Sequence, residues 1–192
     1  MKKLLLLLLL PLFTNAQTKE EMETPYKSIG DYPKEITSGN IISRLIDGLG
    51  YRYYWASENL SESDLDFKPD ESARSCRETI EHIYDLSNSI LKVHKGEALS
   101  RGKNQDFNYE DLRRKTLINL QEASKIASSL NNEQIEKLEV KFGSNSSFPY
   151  WNLINGQISD AIYHCGQIVS FRRSSGNPVN PNMNVFMGKN RS

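Results

Sequence analysis

The chain has 192 residues, with 24 Lys and Arg against 24 Asp and Glu, 38% hydrophobic residues and 25% charged ones. These are ordinary globular values, and they exclude a disordered or low-complexity chain. A balanced charge without a basic run also argues against nucleic acid as a partner, because phosphate binding needs clustered Lys and Arg.

The first element is a leader. Met1-Lys2-Lys3 precedes an unbroken leucine run from Leu4 to Leu10, and Thr14-Asn15-Ala16-Gln17 follows Pro11. A basic start, a short apolar stretch and small residues at a cut site predict a signal peptide over 1–16, so the mature protein is expected to be exported, periplasmic or secreted. No later apolar stretch is long enough to cross a membrane. Loss of Lys2 and Lys3 leaves 22 basic against 24 acidic residues in about 176, a net charge of −2 on one domain with one core.

Residues 17–36 are polar and aperiodic, and read as a leader on the surface. A bundle is expected over 37–176. Its first helix is predicted over 38–60, with Ile42, Leu45, Ile46, Leu49 and Tyr53 on the inner face and a weak point at Gly48 and Gly50. Residues 61–72 connect to a second helix over 73–95, where Thr79, Ile83, Leu86 and Ile90 face inward and Gly96 suits a left-handed cap.

A polar loop at 100–105 leads to the third helix, over 109–130, with Leu112, Leu117, Leu120, Ala123 and Ile126 inward. In the excursion over 131–147, the strict alternation of Leu138-Glu139-Val140-Lys141-Phe142 predicts a short extended segment. Pro149 suits the first turn of a fourth helix, whose stripe is Leu153, Ile154, Ile158, Ala161, Ile168 and Phe171. The tail over 177–192 is rich in turn residues and is expected to pack back through Val179, Val185 and Phe186. The fold class is therefore all-α: a four-helix bundle with one extended segment before helix four.

Chemistry concentrates on the fourth helix. Asp160 and His164 are four residues apart, on one face about 6 Å apart along the axis. An ionised carboxylate facing a core needs a cation, a donor or a proton. His82 flanks the inner face of the second helix and is placed to reach across. Two imidazoles and a carboxylate on facing helices make a divalent-metal ligand set with coordination positions left open. The plainer reading of the same spacing is a side-chain hydrogen bond between Asp160 and His164.

These residues also carry a resemblance to the DinB/YfiT-like superfamily of four-helix-bundle metalloproteins. That family places one His on the second helix and a pair on the fourth, commonly His-x-x-x-His-Arg-Gly-Gln followed by Ile. In this chain Asp160 stands at the first position of the pair and His164 at the second. Cys165 replaces Arg, Gly166-Gln167-Ile168 match, and His82 matches the second-helix ligand. The similarity spans nearly all of the mature chain, including Leu65-Asp66-Phe67-Lys68-Pro69. It implies one divalent ion, Zn, Ni, Mn or Fe, held by His82, Asp160 and His164. It further implies hydrolase or thiol-transferase chemistry on a small-molecule substrate. Exchanging an imidazole for Asp160 makes the donor set harder and lowers its charge by one. A non-catalytic envelope binding or structural protein, with the three residues as a hydrogen-bonded network, is the alternative. A homodimer is expected if the bundle leaves an apolar face exposed.

Gln157 and Gln167, three residues either side of the Asp160/His164 pair, are candidates to orient ligands or touch substrate, or are plain helix-favouring residues beside the core. Tyr53 is a candidate pocket residue or a core ring. His94, about 18 Å along the helix from His82, reads as a surface cation at a helix end. Arg172 and Arg173 suit the negative end of helix four. Cys76 and Cys165 fall within helices and are expected to be free thiols. There is no Gly-x-Ser-x-Gly elbow, which disfavours covalent serine chemistry.

Overall fold

The structure, a computed structural model, describes residues 24–99, 107–143 and 146–191. The expected signal segment, the start of the leader and the polar loop at 100–105 lie outside the described residues. The elements in order are α1 (Ser38–Ala56), α2 (Glu62–Leu65), α3 (Cys76–His94), α4 (Tyr109–Ser129), α5 (Asn132–Glu136), β1 (Glu139–Phe142), β2 (Ser146–Pro149), α6 (Trp151–Leu153), a π-helical turn (Ile154–Ile158) and α7 (Ser159–Ser174).

Local chemistry sets the helix starts. Thr37 accepts from the Asn40 amide at 3.2 Å, and Asn108 accepts from the Asp111 amide at 2.8 Å. Ser75 and Glu78 form a reciprocal capping box, so α3 starts at Cys76 rather than at 73. The first helix ends at Ala56, short of the expected 60. There the Ser57 hydroxyl bonds back to the Tyr53 carbonyl at 2.6 Å, and Asn59 takes a left-handed φ of 53°.

The long helices pack in a ring: α1 lies against α4 and α7, and α3 lies against α4 and α7. Ile46 and Leu49 of α1, Ile80, Ile83 and Ile90 of α3, Leu117 and Leu120 of α4 and Ile168 of α7 are fully enclosed between them. Two glycines allow close approaches. A Cβ on Gly39 would stand 2.5 Å from the carbonyl oxygens of Ala127 and Leu130, and one on Gly50 would meet the Tyr26 ring at 2.5 Å. Gly50 is thus the seat of an aromatic ring, and Tyr26 is the buried exception in a polar run, with its hydroxyl donating to Asp47 at 3.0 Å.

The extended segment is one arm of a hairpin. The strands β1 and β2 pair antiparallel, with Val140 opposite Phe148 and Glu139 opposite Pro149. Pro149 therefore ends a strand instead of opening the last helix, which begins at Trp151. The tail docks through polar groups: the Ile29 amide donates to the Gly188 carbonyl at 2.7 Å, and the Tyr51 hydroxyl donates to Asn190 at 2.9 Å. Met183 packs on the core and Val179 is half-buried, whereas Val185 and Phe186 are 46% and 89% exposed, so two of the three apolar anchors expected in the tail are not used.

A buried polar joint ties these parts together. Arg172 donates through Nη1 to the carbonyls of Trp55 and Ala56, both at 3.0 Å, and through Nε to Asn177 at 2.7 Å. It therefore caps the negative end of α1, not that of its own helix. Beside it the buried Asp64 accepts from Ser61, Ser175 and Asn177. Burial alone would raise the Asp64 carboxyl, but these hydrogen bonds outweigh it and hold the group well below the usual carboxylate range. Among the described residues no helix is long and apolar enough to cross a membrane.

Candidate metal centre

Ring packing of the helices sets α3 beside α7, and the structure brings His82, Asp160 and His164 together across that seam. His82 Nε2 stands 3.1 Å from Asp160 Oδ2, and His164 Nε2 stands 3.3 Å from Asp160 Oδ1. The imidazole rings meet edge to face, with centroids 4.7 Å apart and planes at 84°. One donor atom from each of the three residues lies within 4.8 Å of the others.

The site is open on one side. His164 is nearly enclosed at 9% side-chain exposure, whereas His82 and Asp160 are exposed at 28% and 43%. Tyr163 lies edge-on to the His164 ring at 5.5 Å and is itself largely exposed. Asp85, one turn on from His82, has its carboxyl pushed up by burial against the opposing pull of His82.

Gln167 fixes the state of His164. Its Oε1 lies 2.6 Å from His164 Nδ1, so as the amide is oriented the Nδ1 proton is donated to it. The other ring nitrogen, Nε2, faces the Asp160 carboxylate at 3.3 Å. An imidazole nitrogen and a carboxylate oxygen at this separation either share a proton in a hydrogen bond or both face a cation. The donor set suits a divalent cation. The 3.1 and 3.3 Å separations run to different oxygens of Asp160, and the three donor atoms lie within 4.8 Å of one another, wider than the roughly 3.3 Å between ligands of a tetrahedral zinc ion, so an ion would draw the side chains together.

No protein-family model matches the chain, and no curated protein matches it. Among solved structures it is similar to a DinB-like protein, YjoA of Bacillus subtilis, with a TM-score of 0.56 and 18% sequence identity over 71% of this chain and 92% of that one. The chain has a DinB-like fold.

Within this DinB-like fold the remaining candidates separate. Gln167 is the partner of His164. Gln157 lies in the π-helical turn, and its Oε1 is buried without a hydrogen-bond partner. The wide turn breaks the regular spacing between Gln157 and Asp160, and the Ser159 hydroxyl secures it by donating five residues back to Ile154 at 2.6 Å. Such a turn directly before a ligand helix had no signal in the apolar periodicity. Tyr53 is wholly enclosed in the core.

His94 is not on the surface. It is 4% exposed, donates from Nδ1 to the Ile90 carbonyl at 2.8 Å, and accepts at Nε2 from the Tyr150 hydroxyl at 2.9 Å. Burial lowers its pKa and outweighs the Ile90 bond, which favours a neutral structural imidazole over the cation expected at a helix end. Cys76 and Cys165 are free and buried, and burial pushes both thiols up to about 12. At that value neither is a nucleophile near neutral pH.

Proposed function

We propose that the protein is an exported four-helix bundle of DinB/YfiT type that holds one divalent ion, Zn, Ni, Mn or Fe, through His82, Asp160 and His164. Export rests on the leader over 1–16. The observation that carries the metal reading is the convergence of His82 Nε2, His164 Nε2 and the two oxygens of Asp160 across the seam between α3 and α7.

A divalent ion in this site would supply Lewis acidity and lower the pKa of a water or thiol in its open position. The chain's own residues do the rest. Gln167 holds the His164 ring in one orientation. Asp160 offers one oxygen to each imidazole side and reduces the net charge of the filled site. The exposed flank at His82 and Asp160 is the side from which a small substrate approaches. Hydrolysis is favoured over thiol transfer, because export separates the protein from cytoplasmic thiol cofactors.

A second reading is favoured by the direct contacts of Asp160 with both imidazoles: a non-catalytic envelope protein in which the three side chains form a hydrogen-bonded network. Elemental analysis of residues 17–192, purified without chelator beside His164→Ala and Asp160→Ala, separates the two. Near-stoichiometric metal in the parent, lost in both variants, supports the metalloenzyme. A parent that is metal-free and takes up none of the four ions rules it out and leaves the network.

A further inference from the structure

A second cavity lies on the other flank of α7. It has a volume of about 540 Å³ and is bounded by α7, by Arg52 of α1 and by the tail between 178 and 185. That volume falls within the range of small-molecule sites, roughly 300–1,000 Å³. His82, Asp160 and His164 do not line it.

Three features of the cavity point to a ligand. Its body is apolar, with Ile162 and Val169 on α7 and Met183 on the tail. Two guanidiniums, Arg52 and Arg173, border it, and neither forms an ion pair among the described residues. Arg52 spends one nitrogen on the Gly48 carbonyl at 2.9 Å, which leaves its other donors available. Arg173 also complements the negative end of α7, but that role needs no cavity beside it. The third feature is Gly166. It sits mid-helix with ordinary helical geometry, and a Cβ built there meets nothing within 4 Å. Glycine weakens a helix interior, and here no neighbour within the protein requires it. Gly166 is exposed at the solvent-facing rim of the cavity that it lines, where a larger side chain has room to lie across the opening.

We propose that this cavity is a binding site for an amphipathic carboxylate, a medium-chain aliphatic acid, with the chain against Ile162, Val169 and Met183 and the carboxylate on Arg52 and Arg173. An apolar pocket with a few polar groups at one end both buries a tail and fixes its orientation, and a guanidinium is suited to a carboxylate by its forked donors. The site does not rest on the metal reading.

The test is calorimetric titration of residues 17–192 with sodium decanoate and, separately, with decanol, which has the same chain without the charge. Decanoate should bind the parent at least tenfold more tightly than decanol. Arg173→Gln should weaken decanoate at least tenfold and leave decanol unchanged. Gly166→Leu should weaken binding of both by covering the opening, and Gly166→Ala, which adds one methyl group into open space, should weaken it less, with an unchanged or raised Tm. Asp160→Ala should bind decanoate as the parent does, so that loss of metal and loss of acid binding are told apart. No decanoate binding to the parent, or equal binding by parent, Arg173→Gln and Gly166→Ala, overturns the proposal.

Discussion

At the scale of single residues, the 2.6 Å contact between His164 Nδ1 and Gln167 Oε1 holds the ring with Nε2 toward Asp160. Removing the amide frees the ring to rotate and to exchange tautomers. Losing such a supporting partner typically costs a metal site about 10–100-fold in affinity. Gln167→Ala should therefore lower metal affinity by that factor in chelator competition, with little change in the stability of the metal-free protein. An unchanged affinity would show that packing alone orients His164.

The same scale shows what the sequence could and could not display. The approach of Asp160 and His164 is legible because both lie on one helix with fixed geometry, and that of His82 follows from its place beside an inward stripe. His94 is misplaced by its sequence neighbours because its partner, Tyr150, is 56 residues further on and belongs to the segment just after the hairpin. Arg172 reads as a cap on its own helix end, since nothing local reveals that the end of α1 lies within its reach.

Among the elements, α1 and α4 are held at a separation that only glycine permits at position 39. The two oxygens that a Cβ there would meet at 2.5 Å both belong to backbone carbonyls, so alanine has no flexible side chain to push aside. Overpacking of this kind costs about 1–3 kcal/mol. Gly39→Ala should lower the urea midpoint accordingly, whereas an unshifted midpoint would mean that the two helices separate at little cost. The junction of α1, α2 and α7 makes a prediction in pH. Because the Asp64 carboxyl is held below its unfolded value by Ser175, Asn177 and Ser61, its contribution is fully present above the ordinary carboxylate range and is lost as pH falls through the folded value. Acid unfolding should thus steepen below about pH 4, and Asp64→Asn should flatten that limb when stability is followed by urea titration at successive pH values. Parallel acid limbs in parent and variant would remove Asp64 as the cause.

Element boundaries are readable where caps are local, as at Asn108, although the equally local box of Ser75 and Glu78 starts α3 three residues after the expected 73. They are hidden where long-range pairing decides. The Val140/Phe148 register turns the stretch before the last helix into a hairpin arm, although that arm lacks the alternation that exposes its partner. The π-helical turn is equally hidden, because its extra residue preserves the apolar character of the stripe while shifting its phase.

For the molecule as a whole, the candidate centre spans α3 and α7, which belong to different parts of the chain but to the same ring of helices. An ion bound there would join the two across 78 residues of sequence, from His82 to Asp160, and would favour only the folded state in which those ligands converge. Binding to the folded state alone at 100 times Kd contributes about 2.7 kcal/mol. For a chain of this size each kcal/mol moves Tm by roughly 2–4 °C, so saturating metal should raise Tm by about 5–10 °C, and excess chelator should reverse the gain. His164→Ala should show no metal-dependent shift, with circular dichroism confirming that the variant is folded, because its side chain is nearly enclosed. Equal shifts in parent and His164→Ala would place the stabilising ion elsewhere on the protein. The absence of a shift in a parent that nonetheless carries stoichiometric metal would mean that the unfolded chain binds the ion comparably.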